Sequence, residues 1–130
     1  MIPFIIITHG SLADSFVNSL KMIYGEIKDV FPCNFLRNMD LEELEHQVNQ
    51  LVDSIESEKI LIFTDMLGGS AFNTAMKVQR EKNVHVITGV NMMMLLDLIS
   101  IREKSDFSAL LEHIKKNKEK YISVFEKKEV

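Results

Sequence analysis

Residues 2–11 read Ile-Pro-Phe-Ile-Ile-Ile-Thr-His-Gly-Ser, and the change of rhythm at their end decides the fold. Ile2 to Thr8 is an unbroken β-rich run, the pattern of a strand covered on both faces. From Ser11 the period changes. Leu12, Phe16, Leu20 and Ile23 recur at helical spacing until Gly25 stops them. The opening run is too short to span a membrane and has no basic start. It reads as a first strand rather than a signal peptide.

The same alternation repeats along the chain. Val30 to Leu36 is a weaker second strand. Asp40 and Glu43 have the spacing of a helix-capping box, and Leu44, Val48, Leu51 and Ile55 form the stripe that follows. Lys59 to Asp65 is the third strand, and Gly68-Gly69-Ser70 opens a helix over residues 71–80. Val84 to Thr88 is the fourth strand. Gly89 and Asn91 precede a helix through Leu95, Leu98 and Ile99. Ser105 or Asp106 caps a fifth helix with Phe107, Leu110, Leu111 and Ile114. Tyr121 to Phe125 suits either a last strand or a helix end. Strands alternating with helices build right-handed βαβ units on a parallel sheet. The expectation is an α/β fold: an open, doubly wound, mostly parallel sheet of four strands flanked by helices.

Composition narrows the class. The 130 residues match one domain, taken as 1–130, and 46% hydrophobic residues suffice for a core. A net charge of −4 argues against nucleic acid as a partner. The one cysteine, Cys33, excludes an internal disulfide and a cysteine-based zinc site.

In doubly wound sheets the ligand lies beyond the carboxyl ends of the strands, at the switch point. Three strand ends meet that rule: Thr8-His9-Gly10-Ser11, Asp65-Met66-Leu67-Gly68-Gly69-Ser70 and Thr88-Gly89-Val90-Asn91. His9 is the candidate nucleophile, since a neutral imidazole attacks well near pH 7. Gly10 beside it lets a bulky partner approach. Asp65 is placed to accept from one ring nitrogen and free the other. Gly68, Gly69 and Ser70 offer unpaired amides and a hydroxyl to an anion at a helix start. Thr8 and Gly10 are placed at the same anion, with Asn73 and Asn91 on the rim. Nucleophile, orienting acid and anion site together describe phosphoryl transfer to and from His9.

The remaining groups have weaker claims. His85 lies inside a strand and is expected to be packed. His46 and His113 are expected to be solvated on helices. No histidine pair has metal-ligand spacing. Cys33 is expected to be packed rather than reactive, and Met92-Met93-Met94 to fill the core. Lysines 115 to 128 alternate with glutamates, as on a solvated face.

These residues resemble the IIA domain of the mannose family of the bacterial phosphoenolpyruvate-dependent sugar phosphotransferase system. Thr8-His9-Gly10, then Asp65-x-x-Gly68-Gly69-Ser70-x-x-Asn73, then Gly89-Val90-Asn91 and Met94-Leu95 carry the resemblance. Ala71 and Met93 stand where the family usually has proline. The resemblance implies that His9 accepts a phosphoryl group on Nε2 from the phosphocarrier protein HPr and passes it to a IIB component. It implies that Asp65 holds Nδ1, that Ser70 lies at the phosphate, and that neither metal nor cofactor is needed. It also implies a cytoplasmic homodimer serving membrane components IIC and IID, with residues 121–125 as an antiparallel strand swapped between subunits.

Single features separate the rival readings. The donor subunit of a dihydroxyacetone kinase shares fold and histidine, but the double glycine favours the sugar system. A regulator read by its phosphorylation state has the same residues. An FMN-binding flavodoxin-like module lacks the aromatics for a flavin sandwich, with no Trp and two Tyr. A receiver domain needs an acidic pair after the first strand. A histidine phosphatase needs arginine where Thr8 stands.

Overall fold

The computed structural model describes residues 1–129. The elements follow as β1 (Phe4–His9), α1 (Leu12–Tyr24), β2 (Val30–Phe35), α2 (Leu41–Ser54), β3 (Ile60–Thr64), α3 (Ser70–Glu81), β4 (Val84–Thr88), α4 (Met92–Ile101), α5 (Phe107–Asn117) and a 3₁₀ turn (Lys118–Tyr121). The strands form one sheet in the order β2-β1-β3-β4, every pair parallel. The chain steps outward from β1 to β2, then returns past β1 to β3. The switch point therefore lies between the carboxyl ends of β1 and β3.

Alternation along β1 divides the core in two. Phe4 and Ile6 face α1, α4 and α5, with Leu61, Phe63, Leu95, Leu98 and Leu110. Ile5 and Ile7 face α2 and α3, with Ile62, Leu44, Val48, Ala75 and Val78. Both faces of β1 and β3 are thus covered, which is why their sequences run apolar without a break. The doubly wound α/β architecture expected from the sequence is the one observed. No helix of the described residues is long and apolar enough to cross a membrane.

Helix starts are specified individually. Asp40 accepts from the Glu43 amide at 2.8 Å, Asn91 from the Met94 amide at 3.0 Å, and Asp106 from the Ala109 amide at 2.8 Å. In α1 the donor is met from below, for the Thr8 hydroxyl accepts from the Ala13 amide at 2.7 Å. Only α3 among the described α-helices starts with no side-chain partner for its amides. At the opposite edge of the sheet, buried Arg102 over the Phe4 ring donates to the carbonyls of Ile2, Lys28 and Asp29.

Some expectations need correction. Residues 122–125 form no strand here: Tyr121 closes the 3₁₀ turn and is buried, while Ile122, Val124 and Phe125 are exposed. A strand needs a paired neighbour, and these residues pair with none among the described residues. His113 is only partly solvated. It is half-buried, with Nε2 at 2.7 Å from Asp97, whose same oxygen accepts from the Tyr121 hydroxyl at 2.7 Å. His85 is packed as expected, edge-on to Phe107.

The Thr8 hydroxyl gives a direct test of the fold. Thr8→Val keeps the shape but leaves the Ala13 amide buried without an acceptor. A loss of about 1–3 kcal/mol in urea unfolding is expected.

Candidate functional site

The site forms where β1 and β3 end. His9 is the last residue of β1, and Asp65 directly follows β3. One carboxylate oxygen of Asp65, Oδ2, accepts the His9 backbone amide at 2.9 Å and faces His9 Nδ1 at 2.8 Å. The other, Oδ1, accepts the Met66 amide at 3.0 Å. With an ionised Asp65, Nδ1 carries the ring proton and Nε2 is the free atom. Burial alone pushes the Asp65 carboxyl up. Hydrogen bonds from the His9 amide and ring, and the charge of that ring, outweigh it and hold the group below its ordinary value.

Gly69 brings α3 against the ring. A β-carbon there would lie 2.8 Å from His9 Cε1 and 3.4 Å from Nε2. The backbone of Gly69 is extended, so it is the missing side chain rather than a special conformation that matters. Gly68 differs: its φ of +80° makes the turn that sets α3 over the ring. Nε2 consequently lies beside the one α-helix start, among the described residues, whose amides meet no side-chain acceptor, where backbone N–H groups and the helix dipole favour an anion. Ser70, half-buried, is the first residue of α3.

The other candidates divide. Gly10 is exposed, and its amide is committed to the Phe35 carbonyl at 2.8 Å. It offers space rather than a donor. Thr8 lies beneath the site, fully buried, with its hydroxyl committed to α1. Its hydroxyl is therefore not presented to an anion, contrary to the expectation. Asn73 is exposed on the first turn of α3. Asn91 uses its side-chain oxygen to cap α4. The His9 side chain is 46% exposed and that of Asp65 14%, so the acid is sheltered while the imidazole stays open to a partner.

A family model described as PTS system fructose IIA component matches residues 3–115. The chain belongs to this family. A sorbose-specific EIIA component of Lacticaseibacillus casei is 27% identical over 118 residues, covering 90% of this chain and 86% of the relative. The mannose-specific EIIAB component of Escherichia coli is 31% identical over 104 residues, covering 78% of this chain and 32% of that longer protein. Among solved structures, a phosphotransferase system component EIIA from Streptococcus agalactiae superposes with a TM-score of 0.86 at 27% identity. That match covers 95% of this chain and 97% of the other. Membership in the IIA family makes the chain a component of the mannose-type sugar phosphotransferase system.

Against the usual IIA pattern, Ala71 is fully buried in the α2–α3 core and Met93 is exposed on the first turn of α4. Sequence reasoning passed over Phe35. The register pairs it with His9, and the two rings lie 6.2 Å apart between centroids. The alternation Phe31, Cys33, Phe35 was the available signal. It gains meaning only once β2 is known to lie beside β1.

Two outcomes follow from this geometry. The Asp65 carboxyl is lowered by folding, so its contribution to stability is complete above the unfolded value of about 3.9 and is lost as pH falls through the lower folded value. Asp65→Asn is expected to remove that part of the acid dependence, measured by urea unfolding between about pH 2 and 5. Gly69→Ala is expected to displace the imidazole, seen as a change in the nitrogen chemical shifts of His9. Unchanged shifts would mean that α3 does not bear on the ring.

Proposed function

We propose that His9 is the phosphoryl carrier of this IIA component. The observation that carries the reading is the double grip of Asp65 on His9, which holds Nδ1 and leaves Nε2 facing the uncapped start of α3. The Nε2 lone pair attacks the phosphorus of a phosphohistidine donor. The new N–P bond forms as the donor's N–P bond breaks, and the donor imidazole leaves. His9 keeps its proton on Nδ1, so its ring becomes positively charged and the Asp65 carboxylate balances it. The amides of Gly69, Ser70 and Ala71 and the Ser70 hydroxyl receive the phosphoryl oxygens. The reverse step passes the group on.

The donor in this reading is HPr and the acceptor a IIB component, in the cytoplasm beside the membrane components IIC and IID. The exposed imidazole supports protein partners over an enclosed small molecule. So do Leu12, Leu36, Met66, Leu67 and Met93, all exposed at the same carboxyl edge of the sheet. The sugar-specific relatives support a transport role. The unit is taken as one IIA domain over 1–130.

The reading extends to a homodimer. β4 has a strand on one side only. β2, the other edge, carries Pro32, which blocks further pairing. The exposed Ile122, Val124 and Phe125 supply an apolar segment that a second copy's β4 edge would accept.

Incubation with phosphoenolpyruvate, enzyme I and HPr is expected to label one histidine, acid-labile and alkali-stable. His9→Ala is expected to abolish the label, and its persistence there would sink the assignment.

A further inference from the structure

We propose that Phe35 is a positioning residue for His9, acting as the second wall of the slot that sets where Nε2 points. The inference rests on the phosphoryl-carrier reading of His9 for its consequence, but not for its geometry.

The contact with Asp65 fixes one atom of the ring. An imidazole held only at Nδ1 still pivots about that hydrogen bond, and Nε2 sweeps an arc. Gly69 bounds the arc on the flank of β3 and α3, through the approach that leaves no room for a β-carbon. On the flank of β2 the boundary is Phe35. It is the register partner of His9, so in parallel strands the two side chains rise from the same sheet face. Their rings lie 6.2 Å apart between centroids, with planes tilted by 59°. That is an aromatic contact within the favourable range.

The backbone fixes Phe35 independently of its ring. Its carbonyl accepts the Gly10 amide at 2.8 Å, tying it to the residue after the nucleophile. Its side chain packs on the top of the α2–α3 core with Met39 and stays half-buried. A phenyl ring suits this place, since its flat, stiff face limits the pivot. Leucine supplies similar apolar cover without a plane.

The ring is read directly by long-range proton–nitrogen NMR on the full, unphosphorylated chain, and transfer is read by single turnover from phospho-HPr. In the wild type, one His9 tautomer with the proton on Nδ1 is expected. In Phe35→Leu the His9 signals are expected to broaden or average. The transfer rate is expected to fall about tenfold while the half-saturating concentration of phospho-HPr stays unchanged. Phe35→Tyr is expected to restore both. Phe31→Leu, on the same face at the far end of β2, controls for lost core packing. It is expected to lower stability in urea without altering the His9 signals. If Phe35→Leu leaves signals and rate as in the wild type, or changes them no more than Phe31→Leu does, the positioning role is wrong. If the wild type takes no label on His9 yet Phe35→Leu still alters the His9 signals, the carrier reading fails and the positioning geometry stands.

Discussion

One oxygen atom organises the site. Asp65 Oδ2 binds both the main chain and the ring of His9, and in doing so joins the ends of β1 and β3 across the switch point. A carboxylate pulled from water is costly unless its lone pairs are met, and here three donors meet them. The arrangement demands that β1 and β3 be neighbours, that both end at the same level, and that the chain turn sharply after Asp65. The apolar strands, their register and Gly68 supply those conditions.

The helix starts show the same division between stability and use. Asp40, Asn91, Asp106 and the Thr8 hydroxyl each satisfy an amide at a helix start. Such a cap is typically worth about 1 kcal/mol. The start of α3 forgoes it beside the imidazole. A capping side chain would occupy the donors that an arriving anion needs, so the one omission falls where local stability and binding conflict.

Much of this was legible in the sequence because strand and helix rhythms alternate cleanly, and because strand ends in a doubly wound sheet share an edge. His9, Asp65 and the Gly68-Gly69-Ser70 turn could be brought together on topology alone. What stayed hidden depends on register or on a partner. Thr8 reads as a site residue from its neighbour, yet alternation along β1 turns its side chain away from His9 and into the base of α1. His113 reads as solvated until the path of residues 118–121 returns Tyr121 to Asp97 beside it. Tyr121 to Phe125 has strand composition but pairs with no strand among the described residues. Phe35 emerges only from the pairing of β2 with β1.

At the edge of the sheet remote from His9, Arg102 has a different consequence, one of timing. Its guanidinium reaches the carbonyls of Ile2, Lys28 and Asp29, residues separated from it by 100, 74 and 73 positions. During synthesis the first two strands emerge long before that side chain exists. The tie that Arg102 adds at their amino-terminal ends waits until the residue after α4 has left the ribosome. Such distant closure costs chain entropy and delays completion of the fold. A nascent chain halted before residue 102 would hold every residue of the candidate site and still lack the bolt at the base of its sheet.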